Sequence, residues 1–400
     1  MTPYQTYKTG SLHDIWGDFI VYRNLVPADG RLPSFKELRR TLYKDEIPLP
    51  RKVEPAYGRV VGEILSEARR LELPGVKLKR LVFLGDTRLL DGTAFQNLCE
   101  AGGWKGWAFI GKDDLKAPKA SQVEGQLFIA NRWSALPDFL ATLESQGVGL
   151  DEETALVIDM DKTSVGARGR NDQPIDEARL EGVRRTVAGL LGAEFDESAF
   201  RSVYQALNQP IYHPFTADNQ DYLAYICLML GTTLFQFEQV VREVQEGKLN
   251  SFFDFIQRAQ EKRQELGQGS LGTIHDQVWA NVQANDPTPF KAFRYNEYLC
   301  TAERFGGVAD APIEKLLTEH ILITAEVQEF AGELGKRGAL VFGLSDKPDE
   351  ASFPSEEQAK QGMKPLHHLE TLVVGEGYFG EGYFGEGYFG EGARQAASAT

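Results

Sequence analysis

The stretch that decides the fold is LVIDMDKT, residues 156–163. Its apolar start, Leu156 to Ile158, predicts a short buried strand, and parallel sheets present polar groups where such strands end. Because side chains at i and i+2 of a strand point the same way, Asp159 and Asp161 can converge on one ligand. Two close carboxylates repel unless a cation or a shared proton lies between them. The spacing therefore predicts a hard metal ion, a nucleophile beside an acid–base group, or both.

Length and composition limit the class of protein. A chain of 400 residues suggests two or three domains, and its 42% hydrophobic and 11% aromatic content is typical of a folded protein. A net charge of −15 argues against a general nucleic-acid or membrane-surface partner. Three widely spaced cysteines (Cys99, Cys227 and Cys300) favour a reducing, cytoplasmic location. We also expect no signal peptide and no membrane span.

Strand and helix patterns alternate before the aspartate motif. In chain order they predict helix 55–71, strand 81–84, helix 93–100, strand 107–110, strand 126–130 and helix 136–146. Such alternation predicts an α/β domain, a three-layer Rossmann-like parallel sheet, over residues 51–163. Residues 1–50 contain scattered prolines and are predicted to be an extension with short helices.

The pattern changes after the aspartate motif. Helical periodicity dominates residues 164–336, which predicts an inserted all-helical domain. Residues 337–375 return to the α/β pattern, with strands at 339–344 and 371–374. Residues 376–400 repeat Gly-Glu-Gly-Tyr-Phe and are predicted to form a flexible low-complexity tail.

Three further short motifs stand at predicted strand ends or before a helix. VFLGDTRLLDG places Asp86 and Asp91 after one strand, and ALVFGLSDKP ends another strand at Ser345. RKVEPAYGRVV places Lys52 just before a helix.

Taken with DMDKT, these motifs resemble the haloacid dehalogenase superfamily of phosphohydrolases. That superfamily carries DxDxT, a strand ending in Ser or Thr, a Lys before a helix, and a strand ending in an acidic pair, often GDxxxxD. Here the order is rotated, so the chain is similar to a circularly permuted member over about 50–163 and 337–375. Permutation leaves such a sheet physically unchanged, so the strand before Asp86 should lie beside the strand before Asp159.

The resemblance implies roles for the catalytic groups. Asp159 would attack phosphorus and form an aspartyl-phosphate. Asp161 would protonate the leaving oxygen and then activate water. Ser345 would hydrogen-bond a phosphate oxygen, and Lys52 would neutralise charge on the phosphate and the nucleophile.

The resemblance also implies a cofactor and substrate contacts. Mg²⁺ would be held by Asp159, the backbone carbonyl of Asp161, and Asp86 or Asp91. At the substrate site Thr163 would brace the turn after the motif, while Arg168 and Arg170 would clamp the phosphate or remain solvated. The helical insert occupies the position of a cap that selects the substrate, with Tyr212, His213, Arg294 and Tyr295 as candidates.

Several alternatives stay open at this point. Glu376 and Glu381 could be the acidic motif and Lys364 the lysine, which would need no permutation. Lys347 is a rival to Lys52 because it stands close to Ser345. Asp91 could cap a helix, and Ser345 could be only a turn residue.

The functional expectation is a Mg²⁺-dependent phosphatase that hydrolyses a small phosphorylated metabolite. A phosphomutase would use the same residues and re-use the phosphoenzyme. A non-catalytic binding or scaffold protein with this fold is the hypothesis from another class. We expect no nucleic-acid and no membrane partner, and the sequence does not decide the oligomeric state.

Overall fold

The computed structural model describes residues 2–44, 46–232 and 234–376. The strands in these residues are β1 (Gln5–Gly10), β2 (Ile20–Val21), β3 (Arg80–Gly85), β4 (Lys105–Gly111), β5 (Ser121–Glu124), β6 (Leu127–Ala130), β7 (Thr154–Asp159), β8 (Ile323–Thr324), β9 (Leu340–Leu344) and β10 (Thr371–Gly375). They form two sheets, one of seven strands and one of three.

The helices of the described residues fall into an early, a middle and a late group. The early group is α1 (His13–Trp16), α2 (Phe35–Leu42), α3 (Pro55–Glu72), α4 (Asp91–Gly102) and α5 (Leu136–Ser145). The middle group is α6 (Gln173–Leu191), α7 (Glu197–Leu207), α8 (His213–Thr216), α9 (Gln220–Gly231), α10 (Phe237–Gln245), α11 (Phe252–Glu261), α12 (Ser270–Gln283) and α13 (Lys291–Ala302). The late group is α14 (Ile313–Glu319), α15 (Ala325–Lys336) and α16 (Glu356–Lys360).

The seven-stranded sheet has the order β2-β9-β7-β3-β4-β6-β5 and is parallel except at the β5 edge. This confirms the predicted α/β class with a mostly parallel sheet. It also confirms that the strand before Asp86 lies beside the strand before Asp159, since β3 pairs with β7 from Arg80↔Thr154 to Leu84↔Ile158. Chain order alone does not show this adjacency, because β4, β5 and β6 intervene between β3 and β7.

Helices cover both faces of this sheet. Successive side chains of a strand point to opposite faces, so neighbouring strand residues feed different cores. On one face, Phe83 of β3 meets Phe95 of α4 with ring centroids 6.5 Å apart. On the other, Phe109 of β4 packs on Phe139 of α5, which in turn stacks on Phe330 of α15. The layering is compatible with the Rossmann-like arrangement that the sequence predicts.

The N-terminal residues differ from the prediction of an extension with short helices. β1 pairs antiparallel with β10, and β2 pairs parallel with β9 at the edge of the large sheet. The C-terminal strand also differs, because β10 joins β1 and β8 in the three-stranded sheet and not the sheet that carries Asp159. Both differences have one cause. The local sequence of a short strand can predict its extended conformation. It does not predict the pairing strand, which here lies hundreds of residues away.

The chain divides into two compact units. The α/β unit contains Met1–Asp176, Ala302–Ser352 and the described residues from Lys364 onward, and the helical unit contains Glu177–Thr301 and Phe353–Met363. The predicted insert, 164–336, is therefore longer than the helical unit. Its last part holds α15, which packs on α5 and β9 of the α/β unit, and the short strand β8. The role of the helical unit as a substrate-selecting cap stays a prediction.

The helical unit has its own core. Tyr222 of α9 stacks on Phe252 of α11 with ring centroids 3.8 Å apart. The guanidinium of Arg294, a residue predicted to contact substrate, is buried and donates to Asp221 and, at 2.6 Å, to Glu297. A buried charge requires such partners, so Arg294 stabilises this unit internally.

No helix of the described residues is long and apolar enough to cross a membrane.

Two glycines of α3 allow a matched test of helix packing. A Cβ at Gly58 would lie 2.3 Å from the backbone oxygen of Asn97 in α4, whereas at Gly62 the nearest atoms are 3.9 Å away. We expect Gly58→Ala to lower the free energy of unfolding by about 1–3 kcal/mol, because backbone must shift to relieve the clash. Gly62→Ala should leave it unchanged or raise it by up to about 1 kcal/mol. Urea unfolding of both variants checks this, and equal effects would contradict the close approach of α3 and α4.

Candidate functional site

The polar motifs meet at one edge of the seven-stranded sheet. β9, β7 and β3 are adjacent and parallel, and each ends next to a polar motif. β7 ends at Asp159, β3 ends at Gly85 just before Asp86, and β9 ends just before Ser345. The carboxyl ends of parallel strands are where such folds bind ligands.

Lys52 lies between two carboxylates at this edge. Its Nζ donates to Asp159 Oδ1 at 2.5 Å and to Asp91 Oδ1 at 3.0 Å, and all three side chains are buried. Asn97 of α4 donates to the backbone oxygen of Lys52 at 3.2 Å, which holds the segment before α3. Burial by itself would lower the pKa of Lys52, but Asp159 and Asp91 raise it well above its usual value. Lys52 is therefore a charged group.

Asp91 braces the loop after β3. Its Oδ2 accepts from the backbone N of Asp86 at 3.1 Å and from the N and Oγ1 of Thr87 at 2.9 and 3.0 Å. These donors precede α4, so Asp91 is not the helix cap that one alternative proposes. A Cβ at Gly85 would lie 2.5 Å from Asp91 Cβ, which explains the glycine at the strand end. Burial opposes ionisation, but Lys52 and the hydrogen bond from Thr87 hold the pKa of Asp91 below its usual value.

Asp86 completes an acidic cluster with Asp91 and Asp159. Each can present one carboxylate oxygen within 4.8 Å of the other two. Burial and the charge of Asp91 raise the pKa of Asp86 to about 6, although its ion pair with Arg168 acts in the opposite direction. Three carboxylates thus face two cations, Lys52 and Arg168. An excess of negative charge on oxygen donors fits a hard divalent cation such as Mg²⁺.

The three aspartates are not equally available to a metal ion. Both oxygens of Asp91 already accept hydrogen bonds, whereas Asp86 carries one exchangeable ion pair. In the described chain, the only hydrogen bond to the carboxylate of Asp159 is that of Lys52 to Oδ1. Asp159 and Asp86 are therefore the better ligands. Burial, Asp91 and Asp86 raise the pKa of Asp159 well above its usual value against the opposing charge of Lys52, so a bound cation would help to keep it ionised.

The turn after β7 is tightly held. Ser164 donates its hydroxyl to the backbone oxygen of Asp159 at 2.7 Å, and Lys162 adopts a left-handed φ of 64°. The backbone oxygen of Thr163 accepts from Thr324 at 2.5 Å. The Oγ1 of Thr163 is buried and has no hydrogen-bond partner in the described residues. Thr163 therefore braces the turn through its backbone.

Asp161 and Ser345 form a second pair of groups around Lys347. Lys347 Nζ lies 3.9 Å from Asp161 Oδ2, and the backbone N of Lys347 donates to Ser345 Oγ at 3.1 Å. Ser345 is buried, while about a quarter of the Asp161 side chain is exposed at 26%. Lys347 thus lies beside Asp161, whereas Lys52 contacts Asp159 and Asp91.

Arg170 lies elsewhere, contrary to its predicted role at the phosphate. Its Nε donates to Asp113 at 2.8 Å, and its Nη atoms donate to Glu326 at 2.8 and 2.9 Å and to the Val374 oxygen at 3.0 Å. The guanidinium also lies 4.4 Å from the ring centroid of Tyr4. With 1% of its side chain exposed, Arg170 stabilises the fold and does not bind substrate. Arg168, in contrast, reaches the acidic cluster through Asp86.

The unpermuted assignment finds little support in the positions of its residues. Glu376 follows β10, which pairs with β1 and β8, and its backbone N donates to Glu326 at 2.9 Å. The end of β10 thus belongs to a different sheet from the one that carries Asp159. Glu381 lies outside the described residues, and Lys364 precedes the 3-10 turn Leu366–His368.

Two site residues were not singled out from the sequence. The phenol of Tyr57 is buried without a hydrogen-bond partner in the described residues, close enough to Lys52, Asp346 and Asp159 for their charges to affect its pKa. Burial raises that pKa, and Lys52 opposes the rise. The helical pattern predicts that Tyr57 is buried but does not indicate that it lies near Lys52 and Asp159. Asp346 could have been found from the sequence, because it directly follows Ser345.

Comparison with known proteins adds no name to this geometry. No protein-family model, no curated protein and no solved structure matches the chain. The chemistry of the site is therefore argued from its own residues.

Removal of Lys52 tests how strongly the cluster depends on it. Lys52→Met leaves Asp91 and Asp159 buried without their cation, so we expect the free energy of unfolding to fall by about 3–5 kcal/mol at neutral pH. Lys79→Met is the matched control, since Lys79 pairs with Glu153 at 2.5 Å but is 62% exposed. An exposed pair contributes about 0–1 kcal/mol. Urea unfolding measures both, and a loss for Lys52→Met no larger than the control would contradict the buried pairing.

Glu329 of α15 is another buried carboxyl group, and its environment is unusual. Neither of its side-chain oxygens has a hydrogen-bond partner in the residues described here, and the residue is 4% exposed. Burial and the neighbouring Glu326 raise its pKa to about 8, with Lys8 opposing. The folded protein therefore retains a proton that the unfolded chain loses near the ordinary glutamate pKa of about 4.3.

Glu329→Gln tests this proton linkage. Below the ordinary glutamate pKa, both states are protonated, so the parent protein and the variant should be similarly stable. As the pH rises toward 8, only the unfolded state of the parent gains by ionising, so the parent loses stability and the variant does not. We expect the Tm difference in favour of the variant to grow across this window. Glu333→Gln on the same helix controls for the loss of a carboxylate, and a pH-independent difference for Glu329→Gln would refute the raised pKa.

Proposed function

We propose that this chain is a Mg²⁺-dependent phosphohydrolase of a small phosphorylated metabolite, as its resemblance to the haloacid dehalogenase superfamily implies. The observation that carries the proposal is the position of Lys52, bonded to both Asp159 and Asp91 with Asp86 beside them. These groups come from three separate segments. A buried nucleophile, a buried cation and an oxygen-rich cluster at one sheet edge are what phosphoryl transfer requires.

The metal ion would be held by Asp159 and Asp86, with the backbone carbonyl of Asp161 as the resemblance implies. Its contribution is to neutralise negative charge on the phosphate. Arg168 pairs with Asp86, so its guanidinium would be available to substrate oxygens if Asp86 held the ion.

Asp159 is the nucleophile in this proposal. Lys52 holds Oδ1, so Oδ2 can form the bond to phosphorus while the bond from phosphorus to the leaving oxygen breaks. Asp161 gives its proton to that oxygen and then accepts one from the water that attacks the phosphoenzyme. The partial exposure of Asp161 suits this proton exchange.

Ser345 positions the transferring phosphate. Its Oγ accepts from the backbone N of Lys347, which leaves the hydroxyl proton free to donate to a phosphate oxygen. Lys347 adds a positive charge beside Asp161, and Lys52 adds one beside the nucleophile Asp159. Together the two lysines offset the charge of the incoming phosphate group.

The test is phosphate release from a panel of phosphorylated metabolites, with and without Mg²⁺. We expect Mg²⁺-dependent release that Asp159→Asn abolishes and Asp161→Asn slows by about 10²–10⁴-fold. Asp138→Asn, at an exposed aspartate paired with Lys119, is the control that should retain full activity. Transfer of phosphate between positions of a substrate without release would favour a phosphomutase. Mg²⁺ binding with no turnover of any kind would favour a scaffold protein and overturn the proposal.

A further inference from the structure

Half of the six histidines in the chain lie close to one aspartate. His13 begins α1, Asp18 follows that helix, and His367 and His368 lie in the 3-10 turn Leu366–His368. We call these four residues the histidine cluster. They join segments that are 349 and 350 residues apart in the sequence, and all belong to the α/β unit.

The ring nitrogens of the cluster converge on one oxygen. Nε2 of His367 lies 3.1 Å and Nε2 of His368 lies 2.8 Å from the same Oδ1 of Asp18. The ring centroid of His13 is 4.4 Å from that of His368. One donor atom from each of His13, Asp18 and His368 lies within 4.8 Å of the other two. Three ligand groups, from His13, Asp18 and His368, thus lie around a small volume.

The hydrogen bonds of the cluster join His367 and His368 to Asp18, while His13 is exposed to solvent. Two imidazoles share one carboxylate oxygen, and the ring nitrogens of His13 have no hydrogen-bond partner in the described part of the chain. A neutral imidazole has one nitrogen lone pair, which is the form that binds metal ions.

A buried partner orients His367 from the other side. Its Nδ1 lies 3.1 Å from the hydroxyl of Tyr22, a residue with 0% exposure. Carboxylate ligands of metal sites are commonly hydrogen-bonded by such neighbours, which fix their orientation. Here the contact holds Nε2 toward Asp18.

We propose that His13, Asp18 and His368 bind one divalent transition-metal ion, with Zn²⁺ as the best match. Imidazole nitrogens and one carboxylate are a typical donor set for Zn²⁺, with ligand distances of about 2.0–2.2 Å in tetrahedral geometry. Such arms separate neighbouring ligands by about 3.3 Å. The distance of 2.8 Å between His368 Nε2 and Asp18 Oδ1 needs to widen by only a few tenths of an ångström, while the ligand atom of His13, which lies within 4.8 Å of the other two, needs to move closer.

The site is accessible and differs from the carboxylate cluster. The side chains of Asp18 and His368 are 44% and 33% exposed, so an ion can enter from solvent. Mg²⁺ prefers oxygen ligands and would favour Asp86 and Asp159 instead. This inference does not depend on the proposed phosphatase activity. An ion at the histidine cluster would join the N-terminal segment to the residues before β10 and stabilise the folded state.

The experiment measures Zn²⁺ binding to the full chain by titration calorimetry after treatment with a chelator. We expect one site that persists in Asp159→Asn, which separates it from the carboxylate cluster. His13→Ala and His368→Ala should each weaken binding by at least about 10–100-fold, the loss typical even for residues that only support a ligand. Zn²⁺ should also raise the Tm of the parent protein and not of these two variants.

His213→Ala is the matched control. His213 Nε2 lies 3.5 Å from Asp218, but among the described residues this pair belongs to no cluster of three ligand groups. Its removal should leave the Zn²⁺ affinity unchanged. Circular dichroism of the metal-free variants establishes that they fold. The proposal is overturned if the parent binds no Zn²⁺, or if folded His13→Ala and His368→Ala proteins bind it as tightly as His213→Ala does.

Discussion

The buried contact of Lys52 with Asp91 and Asp159 is the interaction on which the site depends. Each of these charges would be strongly destabilising in the interior without its partners, so the three must come together or none can be buried. This requirement aligns the segment before α3 with the ends of β3 and β7. It also explains the close packing of α3 on α4 at Gly58, since both helices start next to these residues.

Arg168 and Arg170 are only two residues apart but differ in their ion-pair partners and in their burial. Arg168 ends at the acidic cluster, where Asp86 is its partner, and about a third of its side chain is exposed at 36%. Arg170 lies with Asp113 and Glu326 and is fully buried. A guanidinium that is buried against two carboxylates is not accessible to a ligand. The same residue type in the same loop therefore serves the site in one case and the fold in the other.

The order of motifs along the chain and their order in space need separate explanations. In the sequence, the residues at the end of β3 come before those at the end of β7, with α4, β4, β5, β6 and α5 between them. In the sheet, β7 lies directly between β9 and β3. A parallel sheet brings strand ends together whatever the order of its connections, because each strand must return to the same edge. A permuted chain can thus present the same set of groups.

Local patterns in the sequence predicted most strands and helices of the described residues, and the resemblance to the haloacid dehalogenase superfamily implied the convergence of Lys52, Asp86, Asp91 and Asp159. Apolar runs ending in polar motifs carry that information, because the period of the pattern and the strand end are local properties. Only the tertiary structure decided which sheet β1 and β10 join, which arginine reaches the site, that Lys347 accompanies Lys52, and that His13 meets His368. Each depends on pairing or burial between distant segments, and a single sequence has no local signal for such contacts.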